Sequence, residues 1–161
     1  MEKTVARSSA APSKAMVRLY IAVTAVLAFT GFGQMPIFKR YYLADIPGLG
    51  WSANFYATHA IHYLGASLLF FLMAYHITGY FLAGRHSYSL TKSGWARVIF
   101  LAGLTVTGIF RVLKNMPDIV FSPNFTMFID FAHLGFAMLF LFSCLGFLIF
   151  RTGWLKEVTH N

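Results

Sequence analysis

The sequence predicts an all-α integral membrane protein, a four-transmembrane-helix bundle, and three observations lead to that class. Of 161 residues, 58% are hydrophobic and only 11% are charged, where a soluble domain carries about a quarter of its residues as Asp, Glu, Lys and Arg. The 13 basic and 5 acidic side chains stand apart between long apolar runs. Those runs have membrane length. Twenty uncharged residues separate Arg18 from Lys39, 39 separate Asp45 from Arg85, and 20 separate Asp130 from Arg151. About 20 residues, rising about 1.5 Å each, cross a bilayer core.

The same pattern excludes other classes. Thirteen bases and a net charge of +8 would suit nucleic acid only if gathered on one wettable face, and here they punctuate apolar segments, so no nucleic-acid partner is expected. Cys144 is the single cysteine, which excludes a disulfide framework, a Cys-x-x-Cys metal site and covalent attachment of a c-type haem.

Taken in order, residues 1–14, with Ser8, Ser9, Pro12 and Ser13, form an N-terminal tail. The first span runs from about 18 to 36. It ends in Gly31, Phe32, Gly33 and Gln34 rather than an Ala-x-Ala site, so it is expected to stay as a span and not to be cleaved as a signal peptide. A loop over 37–54, containing Pro47, Gly48, Gly50 and Trp51, is too apolar for a simple linker and is expected to fold over the outer rim. The second span covers about 55 to 83. A third, from about 95 to 113, has only 13 uncharged residues between Arg97 and Arg111, about 20 Å of helix. It crosses if both arginines extend their heads to the two surfaces, and a re-entrant segment is the other reading. The fourth span covers about 128 to 150, and residues 153–161 form a second tail. No internal repeat and no low-complexity segment is visible.

Four crossings return the chain to its starting side. That side then holds Lys3, Arg7, Lys14, Arg18, Arg85, Lys92, Arg97, Arg151 and Lys156, and the other holds Lys39, Arg40, Arg111 and Lys114 with Asp45, Asp118 and Asp130. By the positive-inside rule both termini are cytoplasmic. Trp51, Trp95 and Trp154 fall at the predicted interfaces, as an aromatic belt requires, and Gly103, Gly108, Gly135 and Gly146 are expected to let helices approach closely.

The chemistry falls to the histidines. Of the six, His59, His62, His76 and His133 lie inside spans, whereas His86 and His160 lie in a loop and tail and read as solvated. An ionisable residue in a span points to a function by default, because an unpaired one costs a few kcal/mol. Neutral imidazole is a nitrogen ligand for iron, which makes haem b the natural tenant. His62 and His76 are fourteen steps apart, hence about 40° apart on one helical face; Ala66, Leu69 and Met73 lie between them and Gly65 beside His62. The second and fourth spans run the same way, and His62 and His133 each lie a few residues in from the outer end. A haem between helices needs two imidazoles at one depth on facing stripes, and His62 with His133 meets that requirement as the axial pair. His59 is an alternate ligand or a hydrogen-bonding residue. His76 has Phe147 at the position where a second imidazole would stand, and its readings are an unusual ligand, a quinone contact or a bond to a backbone carbonyl. Arg111, with Lys114, Lys39 and Arg40, could pair with haem propionates. Arg151, eighteen residues after His133 and thus on the same stripe, either faces a quinone pocket or anchors the helix at the surface.

The stretch Thr58 to His76, THAIHYLGASLLFFLMAYH, with Phe29, Thr30 and Gly31 in the first span and Asp130, Phe131, Ala132, His133 and Leu134 in the fourth, resembles the cytochrome b subunits of membrane-bound formate dehydrogenases and related respiratory oxidoreductases. The resemblance covers about residues 15–152. It implies a multi-pass subunit of a bacterial or archaeal cytoplasmic membrane that passes electrons between an outer-face iron–sulfur or multihaem cytochrome c partner and menaquinone or ubiquinone. It assigns the outer haem to His62 and His133. It also expects an inner haem held near the start of the first span and late in the fourth, where this chain has Met16 or Val17 and Phe147. Two readings from other classes stand beside it: a stand-alone cytochrome b oxidising quinol or superoxide, and a haem-free tetraspan scaffold subunit.

Overall fold

The computed structural model describes residues 13–35 and 43–158. Four helices are long and apolar enough to cross a membrane: α1 (Lys14–Gly33), α2 (Phe55–Gly79, extended by one π turn through Tyr80–Gly84), α3 (Lys92–Leu113) and α4 (Pro123–Ile149). The third segment is one continuous helix of 22 residues, about 33 Å long, and not a re-entrant turn. The helices fit a multi-pass membrane protein.

Three of the helices begin earlier than their charges suggest, because caps and not charges start them. The Ser13 hydroxyl accepts from the Met16 N–H, Thr91 from Gly94 and Ser122 from Phe125, each satisfying an orphan donor of a first turn. Pro123 follows Ser122 in the first turn of α4, where its missing N–H costs nothing. Lys14, Arg18, Lys92 and Arg97 are therefore carried inside helices rather than fencing them.

The chain divides into two compact units, residues 1–85 and 86–161. In the first, α1 and α2 pair as a helical hairpin. Leu27 packs onto Gly65, where a Cβ would come within 3.1 Å of its side chain. The loop before α2 makes two 3₁₀ turns, Leu43–Asp45 and Gly50–Ala53. It folds back on the hairpin: Trp51 packs at a tilt against Phe29, ring centroids 5.8 Å apart, and Ser52 is buried. Asn54 then caps α2 by accepting from the Tyr56 and Ala57 N–H groups.

In the second unit α3 and α4 pair in the same way, with the size relation inverted: Gly103 on α3 receives the ring of Phe136 on α4. The stretch after α4 is not a free tail as far as Val158. Strand β1 (Tyr88–Leu90) pairs antiparallel with β2 (Leu155–Glu157), Leu90 opposite Leu155. Thr91 Oγ1 donates to the Gly153 carbonyl at 2.7 Å and Ser93 Oγ to the same carbonyl at 3.0 Å.

Arg97 departs from expectation most. Instead of reaching for a surface it is 6% exposed, its Nη2 donating to the Thr152 carbonyl at 3.0 Å and its guanidinium lying over the rings of Phe147 and Trp154. Trp154 is thus half-buried packing as well as an aromatic near a helix end. The helix end supplies the carbonyl. Arg151 adopts φ 52°, the Thr152 N–H bonds the Phe147 carbonyl and the Arg151 N–H bonds that of Leu148, which is a Schellman termination with arginine at the position glycine usually takes. Of the four glycines expected at close helix contacts, Gly103 and Gly108 face the partner helix, but a Cβ at Gly135 or Gly146 would meet nothing within 4 Å.

Candidate functional site

Each hairpin holds one imidazole by the same device. Near the loop end of α1, Thr30 is fully buried and its Oγ1 lies 3.0 Å from Nδ1 of His62 on α2. Near the loop end of α3, Thr107 is buried and its Oγ1 lies 3.0 Å from Nδ1 of His133 on α4. Both hydroxyls also donate back along their own helix, Thr30 to the Val26 carbonyl and Thr107 to that of Gly103, each at 2.7 Å. Such back-bonding is the usual recourse of a helical threonine in an apolar setting.

The next residue is glycine in both. A Cβ on Gly31 would stand 3.3 Å from Cε1 of His62, and one on Gly108 would stand 3.5 Å from Cε1 of His133. Each ring therefore rests against bare backbone beside the threonine that holds it. The two hairpins are an internal repeat of this arrangement, Thr-Gly on the first helix and His on the second, where no repeat was expected; Thr107 is a site residue outside the expected set. The dipeptide Thr-Gly stands at 30–31 and 107–108 but also at 78–79 and 152–153, so in sequence it singles out neither site.

The flanking positions differ between the copies. Three residues before His133 stands Asp130, whose carboxylate takes both oxygens to Lys114 Nζ at 2.7 Å and has Arg111 Nε at 3.5 Å. Three residues before His62 stands His59, set between the rings of Phe55 (5.3 Å) and Tyr63 (4.2 Å). Four residues after Thr30 is Gln34, which donates to the Thr30 carbonyl; four after Thr107 is Arg111. The second copy thus carries two cations against one anion a turn from its imidazole.

The remaining expected residues are dispersed. His76 makes an edge contact with Tyr75 and shares no contact with His62. Arg151 is exposed and lies beyond the end of α4, so the helical phase that would bring it under His133 does not reach it. Phe147 is covered by Arg97 at 4.6 Å. His86 is exposed, while Lys39, Arg40, His160 and the tail over 1–12 lie outside the described residues. Among the described residues no three His, Cys, Asp or Glu side chains gather as a metal site. Compared with known proteins, the chain is matched by no family model, no curated protein and no solved structure.

Proposed function

We propose that the chain is a haem b-binding membrane subunit of a respiratory oxidoreductase, in which His62 and His133 supply the two axial nitrogens. The observation that carries this reading is the anchoring of both imidazoles through Nδ1 by a buried threonine, so that Nε2 is the nitrogen that would coordinate. Metal-ligating histidines are held in this way through their other nitrogen. The donor set also fits: two imidazoles, each seated on glycine, within helices of membrane length.

When bound, haem b supplies one-electron transfer between the iron's two oxidation states. The chain's own part is to orient the rings, exclude water and place charge. Arg111 is the residue for a propionate, because Lys114 already neutralises Asp130 at 2.7 Å and leaves the guanidinium in excess. One haem per chain is favoured, since Phe147 occupies the position of a second ligand and lies under Arg97. On this reading both termini face the cytoplasm, with nine bases on that side. An iron–sulfur or cytochrome c subunit docks on the outer face, and menaquinone or ubiquinone is the membrane-side partner.

The test is a reduced-minus-oxidised spectrum of the purified full-length chain with haem quantified per polypeptide. A b-type band at one haem per chain, lost in both His62→Ala and His133→Ala, is expected. A correctly inserted protein with no such band would make it a haem-free scaffold, and a band surviving His133→Ala would refute the ligand assignment.

A further inference from the structure

The two Thr–His pairs carry more than a position. A threonine hydroxyl has one hydrogen to give, and at each threonine several acceptors compete for it. Thr30 Oγ1 is 2.7 Å from the Val26 carbonyl, 3.4 Å from that of Leu27 and 3.0 Å from His62 Nδ1. Thr107 Oγ1 is 2.7 Å from the Gly103 carbonyl, 3.2 Å from that of Leu104 and 3.0 Å from His133 Nδ1. In both, the shortest contact is to the carbonyl one turn back, a group that can only accept. The hydrogen goes there, and the oxygen turns a lone pair toward the imidazole. An unprotonated Nδ1 would then oppose two lone pairs at 3.0 Å, so Nδ1 must carry the ring proton. A neutral imidazole has one such proton, so in this form Nε2 carries no hydrogen.

We propose that Thr30 and Thr107 are a duplicated tautomer lock, positioning residues that fix His62 and His133 in the Nδ1–H form before any cofactor arrives; the purpose of the lock rests on the haem reading, its geometry does not. Histidine free in water favours the opposite tautomer, with the hydrogen on Nε2, so the lock selects the less common form. That form presents Nε2 to a metal without first moving a proton. Thr-Gly is the whole module: the hydroxyl holds Nδ1 and the glycine admits Cε1 beside it. The acceptor is also a neutral oxygen that has already given its hydrogen away. It therefore holds the ring as imidazole, whereas a carboxylate there would draw it toward imidazolate and raise its basicity. Because the copies differ at the flanking positions, Gln34 against Arg111 and His59 against Asp130, but agree at Thr, Gly and His, the lock is the property the two hairpins hold in common.

The experiment uses the full-length chain in detergent micelles, produced under haem-limited conditions with ¹⁵N-labelled histidine, and reads the ring nitrogens at a pH where imidazoles are neutral. His62→Gln and His133→Gln assign the signals. Two rings in the Nδ1–H pattern, assigned to His62 and His133, are expected. Thr30→Val should move His62 toward the Nε2–H pattern and leave His133 unchanged, Thr107→Val should do the converse, and Thr→Ser at either position should restore the original pattern. Nε2–H at either ring in the unaltered chain would overturn the lock, and that spectrum decides even where a valine variant does not fold. Valine variants that fold and retain the Nδ1–H pattern would overturn it too. The haem reading fails separately, by absence of a b-type band, with the ring tautomers still on record.

Discussion

Replacing Gly103 with Ala tests the spacing that brings Thr107 to His133. A Cβ built on Gly103 falls 2.5 Å from Cε1 of Phe136 and 2.6 Å from Cδ1 and Cζ, whereas carbon atoms in ordinary contact stand about 3.5–4.0 Å apart. The ring or the helix must therefore give by roughly 1 Å, an overpacking that costs about 1–3 kcal/mol. Against this, alanine is favoured over glycine in a helix by about 0.8–1.0 kcal/mol. The two are separated by controls on the facing helix, Gly135→Ala and Gly146→Ala, where the added methyl meets nothing and only the helical gain remains. Propensity cancels in the difference, and Gly103→Ala should unfold below the controls by the overpacking alone. At about 2–4 °C per kcal/mol for a chain of this size, the gap is at least about 2 °C in thermal unfolding followed by circular dichroism in detergent. Phe136→Leu added to Gly103→Ala should narrow it, because the two sites share the contact. A Gly103→Ala protein that unfolds at or above Gly135→Ala would refute the packing argument, and with it the inference that α3 and α4 are held this close beside the imidazole.

Other outcomes follow from the same structure. Gly31→Ala, with 3.3 Å to the His62 ring, should disturb haem content or the b-band more than Gly108→Ala, with 3.5 Å to the His133 ring; equal effects in the spectrum would count against glycine as the ring's seat. Thr91→Ala removes the cap of α3 and the 2.7 Å bond to Gly153 together, so it should cost about 1–2 kcal/mol and speed tryptic cleavage after Arg151 and Lys156; unchanged cleavage would mean the ribbon does not depend on that side chain. Arg151→Gly should raise the unfolding temperature by the relief of a left-handed residue, about 1 kcal/mol, while Arg151→Ala, which keeps the strain and loses the charge, should not.

What could be read from the sequence divides along physical lines. Long uncharged runs report burial in lipid directly, so the four spans and the histidines inside them were visible, His62 and His133 among them. Helix starts were misplaced because Ser13, Thr91 and Ser122 act through a single hydrogen bond each, a signal far weaker than a missing charge. The repeat was hidden by spacing: Thr30 and His62 are 32 residues apart, Thr107 and His133 only 26. The difference lies in the longer segment between α1 and α2, and the large partner of the helix contact changes sides, Leu27 on Gly65 in one hairpin and Phe136 on Gly103 in the other. Three-residue strands such as β1 and β2 carry no periodicity to detect, and they exist because Thr91 and Ser93 bind the returning chain.

Arg97 is the residue whose chemistry runs furthest from its sequence reading, and it can be judged by substitution. Burying a cation costs several kcal/mol even after relaxation, and among the described residues Nη1 is buried with no oxygen or nitrogen acceptor, the Cys144 thiol being a further neighbour of the guanidinium. What offsets the cost is the bond to the Thr152 carbonyl and two aromatic faces, at 4.6 and 5.0 Å, together worth about 2–5 kcal/mol. These contacts belong to a planar guanidinium and not to positive charge as such. Lysine would keep the burial cost while losing the fork and the stacking. Methionine would lose the bond but also remove the buried charge and retain most of the volume, a replacement that is often close to neutral. Arg97→Lys should therefore unfold at a lower temperature than Arg97→Met, so that the substitution conserving charge does the greater harm. The reverse order would mean that the positive charge itself, rather than the stacked plane, holds the end of α4 against α3.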